Sequence, residues 1–178
     1  IQPGSGVVVL LINGTTFCTG SLVNNSANDG TPYLLTATHC INRDYDARFL
    51  ANRKYDIVAG TIVAFFGYQS PVCDKEIRGP LQMTMASADS VLINERYDIS
   101  LLKFKEMPPK EYQPQYLGWN VSSSPHAPFH GLHHPNGGIK KVAIDNDALA
   151  IGSFDDPKYN MEPNAHWAVR AWEVGATE

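Results

Sequence analysis

Two side chains in this sequence stand where acid–base chemistry would need them. His39 closes the run Tyr33-Leu-Leu-Thr-Ala-Thr-His39-Cys40, so an apolar strand delivers an imidazole at its end, with a cysteine directly after it. Asp98 opens the run Tyr97-Asp98-Ile-Ser-Leu-Leu-Lys-Phe104, so an acidic residue leads straight into an apolar strand where an unpaired carboxylate would be costly. A carboxylate in such a place needs a donor, and the ring N–H of His39 could supply it. An imidazole held this way is a general base with a fixed tautomer. Taken singly, each has a plainer reading: His39 as a strand-end histidine beside a structural cysteine, and Asp98 as a turn residue or cap. Asp44, Asp46, Asp56 and Asp89 have weaker contexts, the first two in a polar stretch and the others without the following apolar run.

The elements that must position these residues read as β. Val7–Ile12, Tyr33–Ala37, Tyr55–Phe66, Leu81–Ala86, Ile99–Phe104 and Lys140–Ile144 are short runs rich in β-branched and aromatic residues, and Phe17–Val23 adds a further strand. Asn13-Gly14, Asn28-Asp29-Gly30, Gly79-Pro80, Asn136-Gly137-Gly138 and Asp155-Asp156-Pro157 punctuate them. No long segment shows a period of 3.6, although Asp44–Arg53 has room for a helical turn or two. Many short strands with frequent turns imply a barrel or a sandwich. Prolines 108, 109 and 114 make Glu106–Pro114 a semi-rigid linker. The sequence is therefore expected to divide into 1–107, enough for a small β-barrel carrying His39 and Asp98, and 108–178, a linker and an incomplete second barrel.

Composition narrows the function classes. The chain has 178 residues, 43% hydrophobic and 18% charged, as an ordered globular protein does. A net charge of −4 with scattered Lys and Arg gives no footprint for nucleic acid. The longest apolar run, Val7–Ile12, is far too short to span a bilayer, so no membrane partner is expected. Three cysteines are an odd count; in an extracellular protein two should pair and one is left over.

Taken in order, Cys18-Thr-Gly-Ser-Leu-Val23, Leu35-Thr-Ala-Thr-His39-Cys40 and Asp98-Ile-Ser-Leu-Leu102 resemble the trypsin-like serine proteases. Cys18-Thr-Gly-Ser-Leu-Val-Asn-Asn25, Leu117-Gly-Trp119 and Gly131-Leu-His-His-Pro-Asn-Gly-Gly-Ile-Lys-Lys141 are similar to the bacterial lysyl endopeptidase branch. The resemblance runs from about residue 7 to the C-terminus. It implies an all-β double barrel, the first barrel nearly complete and the second truncated. It implies His39 as general base, Asp98 as its orienting acid and a Cys18–Cys40 disulfide bracketing the histidine. It also implies a secreted or periplasmic endopeptidase acting on protein or peptide substrates, cutting after lysine, with no cofactor and no metal. For Cys73 it implies a partner upstream of the first strand.

The third member of the triad is not found. In the family the serine lies in a Gly-x-Ser-Gly loop after the aspartate, whereas Ser100, Ser122, Ser123, Ser124 and Ser153 lack that frame. Pro3-Gly-Ser5-Gly6 has the glycines but precedes the histidine, and reads as a loop. His166–Glu178 resembles the family segment that leads into the serine loop, so the nucleophile is expected beyond residue 178 and these residues alone are expected to be inactive. A catalytically inactive homologue serving as a binding module is the competing reading. A structural β-domain, in which His39 and Asp98 lie far apart, is another.

Other features have plainer readings. His133 and His134 are adjacent, and neighbours on a strand face opposite sides, so both would not bind one metal. His126 and His130 read as structural or loop residues, as do His133 and His134, whereas the resemblance puts His166 near the cleft. Trp119, Trp167 and Trp172 read as core or domain-interface residues. Asn13, Asn24 and Asn120 open glycosylation-type triplets that read as turns, and Asp145, Asp147, Asp155 and Asp156 as ordinary loop acids rather than a calcium site.

Overall fold

Val7–Ile12 forms β1, an inner strand buried along nearly its whole length, as a continuous apolar run requires. The computed structural model describes residues 3–44, 54–72, 75–156 and 159–175. With β1 run β2 (Thr16–Val23), β3 (Tyr33–Thr36), β4 (Val63–Phe65), β5 (Thr84–Ala86), β6 (Ala88–Asn94) and β7 (Ile99–Phe104) in one antiparallel sheet, ordered β5-β4-β1-β2-β3-β7-β6. Its two edge strands, β5 and β6, are joined by the single residue Ser87, in the left-handed region at φ 65°. One residue cannot span a flat seven-stranded sheet, whose neighbouring strands lie about 4.8 Å apart. The sheet therefore curls until its edges meet, and Val8, Leu10, Leu22, Leu34, Phe66, Leu102 and Phe104 fill the interior. Each fully buried Leu or Phe contributes about 1.5–3 kcal/mol. Gly20 marks a tight point in this interior: a Cβ there would lie 2.8 Å from Leu34 and 2.9 Å from Leu10.

Among the described residues, two short α-helices interrupt the β pattern. Thr38–Ile41 (α1) follows β3, and Lys54–Ala59 (α2) replaces the first part of the strand expected over Tyr55–Phe66. Tyr55, Val58, Ala59 and Ile62 sit at i, i+3, i+4 and i+7 and are all buried, so this stretch carries a helical stripe inside a β-branched run. Only Val63–Phe65 remains extended. Most of Asp44–Arg53, and Cys73, lie outside the described residues. β6 is a strand that the sequence alone does not announce, because its burial pattern lacks clean alternation.

The later part of the chain holds two antiparallel pairs: β8 (Phe129–His133) with β9 (Lys141–Asp145), and β10 (Ala150–Gly152) with β11 (His166–Ala168). The proline-rich segment contains one 3₁₀ turn, Lys110–Tyr112, and Tyr112 packs on Phe66 with ring centroids 5.5 Å apart. Leu117 continues onto β2 through hydrogen bonds with Asn24 and Leu22, both 2.9 Å. Trp119 is 62% exposed and Trp167 46%, so these two are not the core residues their size suggests. Among the described residues no helix is long and apolar enough to cross a membrane.

His134 binds the second part to the first. It is 1% exposed, its backbone N–H donates to Thr19 Oγ1 (2.9 Å), its ring Nδ1 donates to the Gly138 carbonyl (2.9 Å), and it stacks on Tyr68. Burial, aided by the nearby Lys140 charge, lowers its pKa to about 4. The folded value lies below the ordinary 6.5, so between those values the unfolded chain binds more protons. Stability therefore falls as pH drops from 6.5 toward 4, by about 3 kcal/mol from this group. Denaturant titrations at pH 6.5 and 4.5 check this: the loss should shrink in His134→Leu, and an identical loss in the variant would rule His134 out as its source.

Candidate active site

The register of the first sheet brings the two candidate residues together. β3 pairs with β7 so that Thr36 faces Ser100 and Leu35 faces Leu101. The end of β3 thus lies beside the start of β7. Ala37 leads from β3 into α1, which carries His39, while Asp98 immediately precedes β7. Asp98 is the left-handed C-cap (φ 54°) of the 3₁₀ turn Glu95–Tyr97, and Asn94 holds the turn's N-terminus by accepting from Arg96 N–H (3.1 Å) and Tyr97 N–H (3.3 Å). Aspartate tolerates that backbone better than most residues.

His39 and Asp98 make a two-point contact. The His39 backbone N–H donates to Oδ1 at 2.8 Å, and the ring Nδ1 lies 2.7 Å from Oδ2. The Thr38 N–H adds a bond to the Asp98 carbonyl (3.2 Å), and the buried Thr38 and Ser100 hydroxyls satisfy one another at 3.0 Å. An ionised carboxylate only accepts, so Nδ1 carries the proton and Nε2 keeps its lone pair. The Asp98 hydrogen bond and charge hold the imidazole pKa above its ordinary 6.5, against the opposing effect of burial. The Cys18–Cys40 disulfide (Cα–Cα 6.1 Å) ties α1 to β2 directly behind His39.

The pair opens onto a cleft of about 640 Å³. Tyr97 and Asp98 line one side; Phe154, Tyr159, His166 and Trp167 line the other, so His166 does border the cleft. Next to Tyr97, Arg96 pairs with Glu162 and accepts the Glu162 N–H at its carbonyl (2.8 Å). Such a groove can seat an extended chain beside the Nε2 lone pair. Asp145, Asp147 and Glu173 also converge, but Asp145 accepts the Asp147 N–H and Glu173 the Asn146 N–H, both 2.8 Å, as turn-capping acids do. Cys18 and Cys40, adjacent to His39, have their sulfurs committed to the disulfide.

A curled antiparallel sheet with a His–Asp pair at the cleft beside a second β unit defines the trypsin-like proteases. Residues 4–178 match the family of the lysyl endopeptidase C-terminal domain, and the chain belongs to that family. A lysyl endopeptidase of Pseudomonas aeruginosa is 25% identical over 146 residues, covering 80% of this chain but only 29% of that protein. The crystal structure of the Rv3671c protease in an inactive form shares the fold, with a TM-score of 0.51 at 15% identity, over 90% of this chain and 62% of that one.

Proposed function

We propose that this chain is the His- and Asp-bearing part of a secreted serine endopeptidase that cuts peptide bonds after lysine. His39 is the general base, Asp98 orients it, and the nucleophilic serine is supplied by sequence of the same protein after residue 178. Residues 1–107 act as the first barrel, and 108–178 as a linker and part of the second. The observation that carries the reading is the His39 Nδ1–Asp98 Oδ2 contact of 2.7 Å, with His39 and Asp98 both lining the cleft. The family's name supports lysine, and the disulfide supports an oxidising compartment.

In this scheme His39 Nε2 takes the serine proton as the hydroxyl attacks the scissile carbonyl, and returns it to the leaving amine. Asp98 stays ionised and stabilises the imidazolium. The test is fluorophosphonate labelling, which reports an activated serine. The full-length gene product should be labelled at a serine outside residues 1–178, and should cleave lysyl peptides in preference to arginyl or alanyl ones. Residues 1–178 alone should be neither labelled nor active. An unlabelled full-length protein would favour the inactive binding homologue instead.

A further inference from the structure

The helix bearing His39 ends on Asn42, whose backbone N–H closes the turn onto the Thr38 carbonyl at 2.9 Å. Asn42 is fully buried, and it is not among the residues that line the cleft. Its Nδ2 donates both to the Tyr55 hydroxyl (3.1 Å) and to Glu95 Oε1 (3.2 Å). The Tyr55 hydroxyl donates to the same carboxylate oxygen, closing a triangle. Glu95 opens the turn that Asp98 closes, and the Asp98 N–H bonds back to the Glu95 carbonyl at 3.4 Å. One side chain thus comes from the His39 helix, one from α2 and one from the Asp98 turn.

The base of this triangle is rigid. Tyr55 is 3% exposed, Val58 and Ala59 pack in the core, and Ser90 on β6 donates to Asp56 of α2. Burying an amide, a phenol and part of a carboxylate costs desolvation that an apolar cluster would avoid, whereas a fully satisfied polar network fixes one geometry. These groups add a second link between the two site-bearing segments, besides the bonds of Thr38 to Asp98 and Ser100.

We infer that Asn42, Tyr55 and Glu95 are positioning residues that lock the His39 helix to the Asp98 turn and so hold the imidazole and carboxylate in bonding register. The catalytic consequence rests on the function proposed above, but the geometry is readable without turnover. The test uses the full-length protein, with the His39 imidazole followed by NMR titration alongside peptidase kinetics. Tyr55→Phe keeps the ring in the core and changes no charge. It should lower the His39 pKa toward its ordinary value and lower kcat about tenfold while leaving KM within about twofold, as loss of alignment does. A lower melting temperature with an unmoved His39 titration would overturn the inference and leave the triangle merely structural.

A second pair of variants guards against misfolding of the first. Glu95→Ala should reproduce the effect, and Glu95→Gln, whose carbonyl still accepts both bonds, should recover most of it. Equal losses in the two would mean that only the Glu95 charge matters, and would also overturn the inference. A protein that hydrolyses nothing, yet whose His39 titration moves in Tyr55→Phe, would sink the proposed function and leave the bridge standing. Normal cleavage with an unmoved titration would do the reverse.

Discussion

Asp98→Asn is expected to lower kcat of the full-length protein by about 10⁴ with little change in fold. The asparagine oxygen can still accept the His39 backbone N–H now bonded to Oδ1. Its amide then faces Nδ1 as a donor, so Nδ1 must accept and the ring proton moves to Nε2. The lone pair that should take the serine proton is then gone. The same change removes the hydrogen bond and charge that raise the His39 pKa, so the imidazole should titrate at lower pH. In the wild type, activity should rise with pH through a midpoint above 6.5, because only the neutral imidazole accepts a proton. A pH–rate profile and an NMR titration measure both effects. Near-normal activity in Asp98→Asn would remove Asp98 from the mechanism.

His39→Ala should be at least as damaging, with a loss of about 10⁴ or more, because the proton acceptor itself disappears. The fold should tolerate it. The His39 side chain is half exposed, and the backbone N–H of residue 39 can still bond Asp98. The raised pKa does carry a linkage: the His39–Asp98 interaction favours the folded state below the ordinary histidine pKa, and that contribution fades as pH rises through the higher folded value. At such an exposed site the effect is small, and the melting temperature near neutral pH should barely change. Full proteolytic activity in His39→Ala would refute its role as base, whereas a large stability loss would show that the side chain does more structural work than its contacts suggest.

Part of this was legible in the sequence. The apolar run ending in His39-Cys40 and the acid ahead of Ile99 are local patterns, and each marks a side chain delivered at the end of a strand. The Cys18–Cys40 link is suggested by a strand that can hold Cys18 beside Cys40 and implied by the resemblance, and the disulfide is present. The Tyr55–Phe66 stretch misleads because β-branched residues there also satisfy a helical stripe, and packing against the core selects the helix over Lys54–Ala59. For Trp119 and Trp167, read as core or domain-interface residues, exposure removes the core alternative, since residue type says nothing about which face a ring is given.

By itself, the sequence determined which residues are candidates for the chemistry and that strands would present them, because those properties depend on side-chain type and on neighbours a few positions away. Only the tertiary structure decided that His39 meets Asp98, that Ser87 closes the sheet on itself, and that Asn42, Tyr55 and Glu95 meet behind the cleft. Asn42 and Glu95 lie 53 positions apart, and His39 and Asp98 lie 59. Contacts at that separation follow from strand register and sheet curvature, and both are set by how the whole core packs rather than by any segment of it.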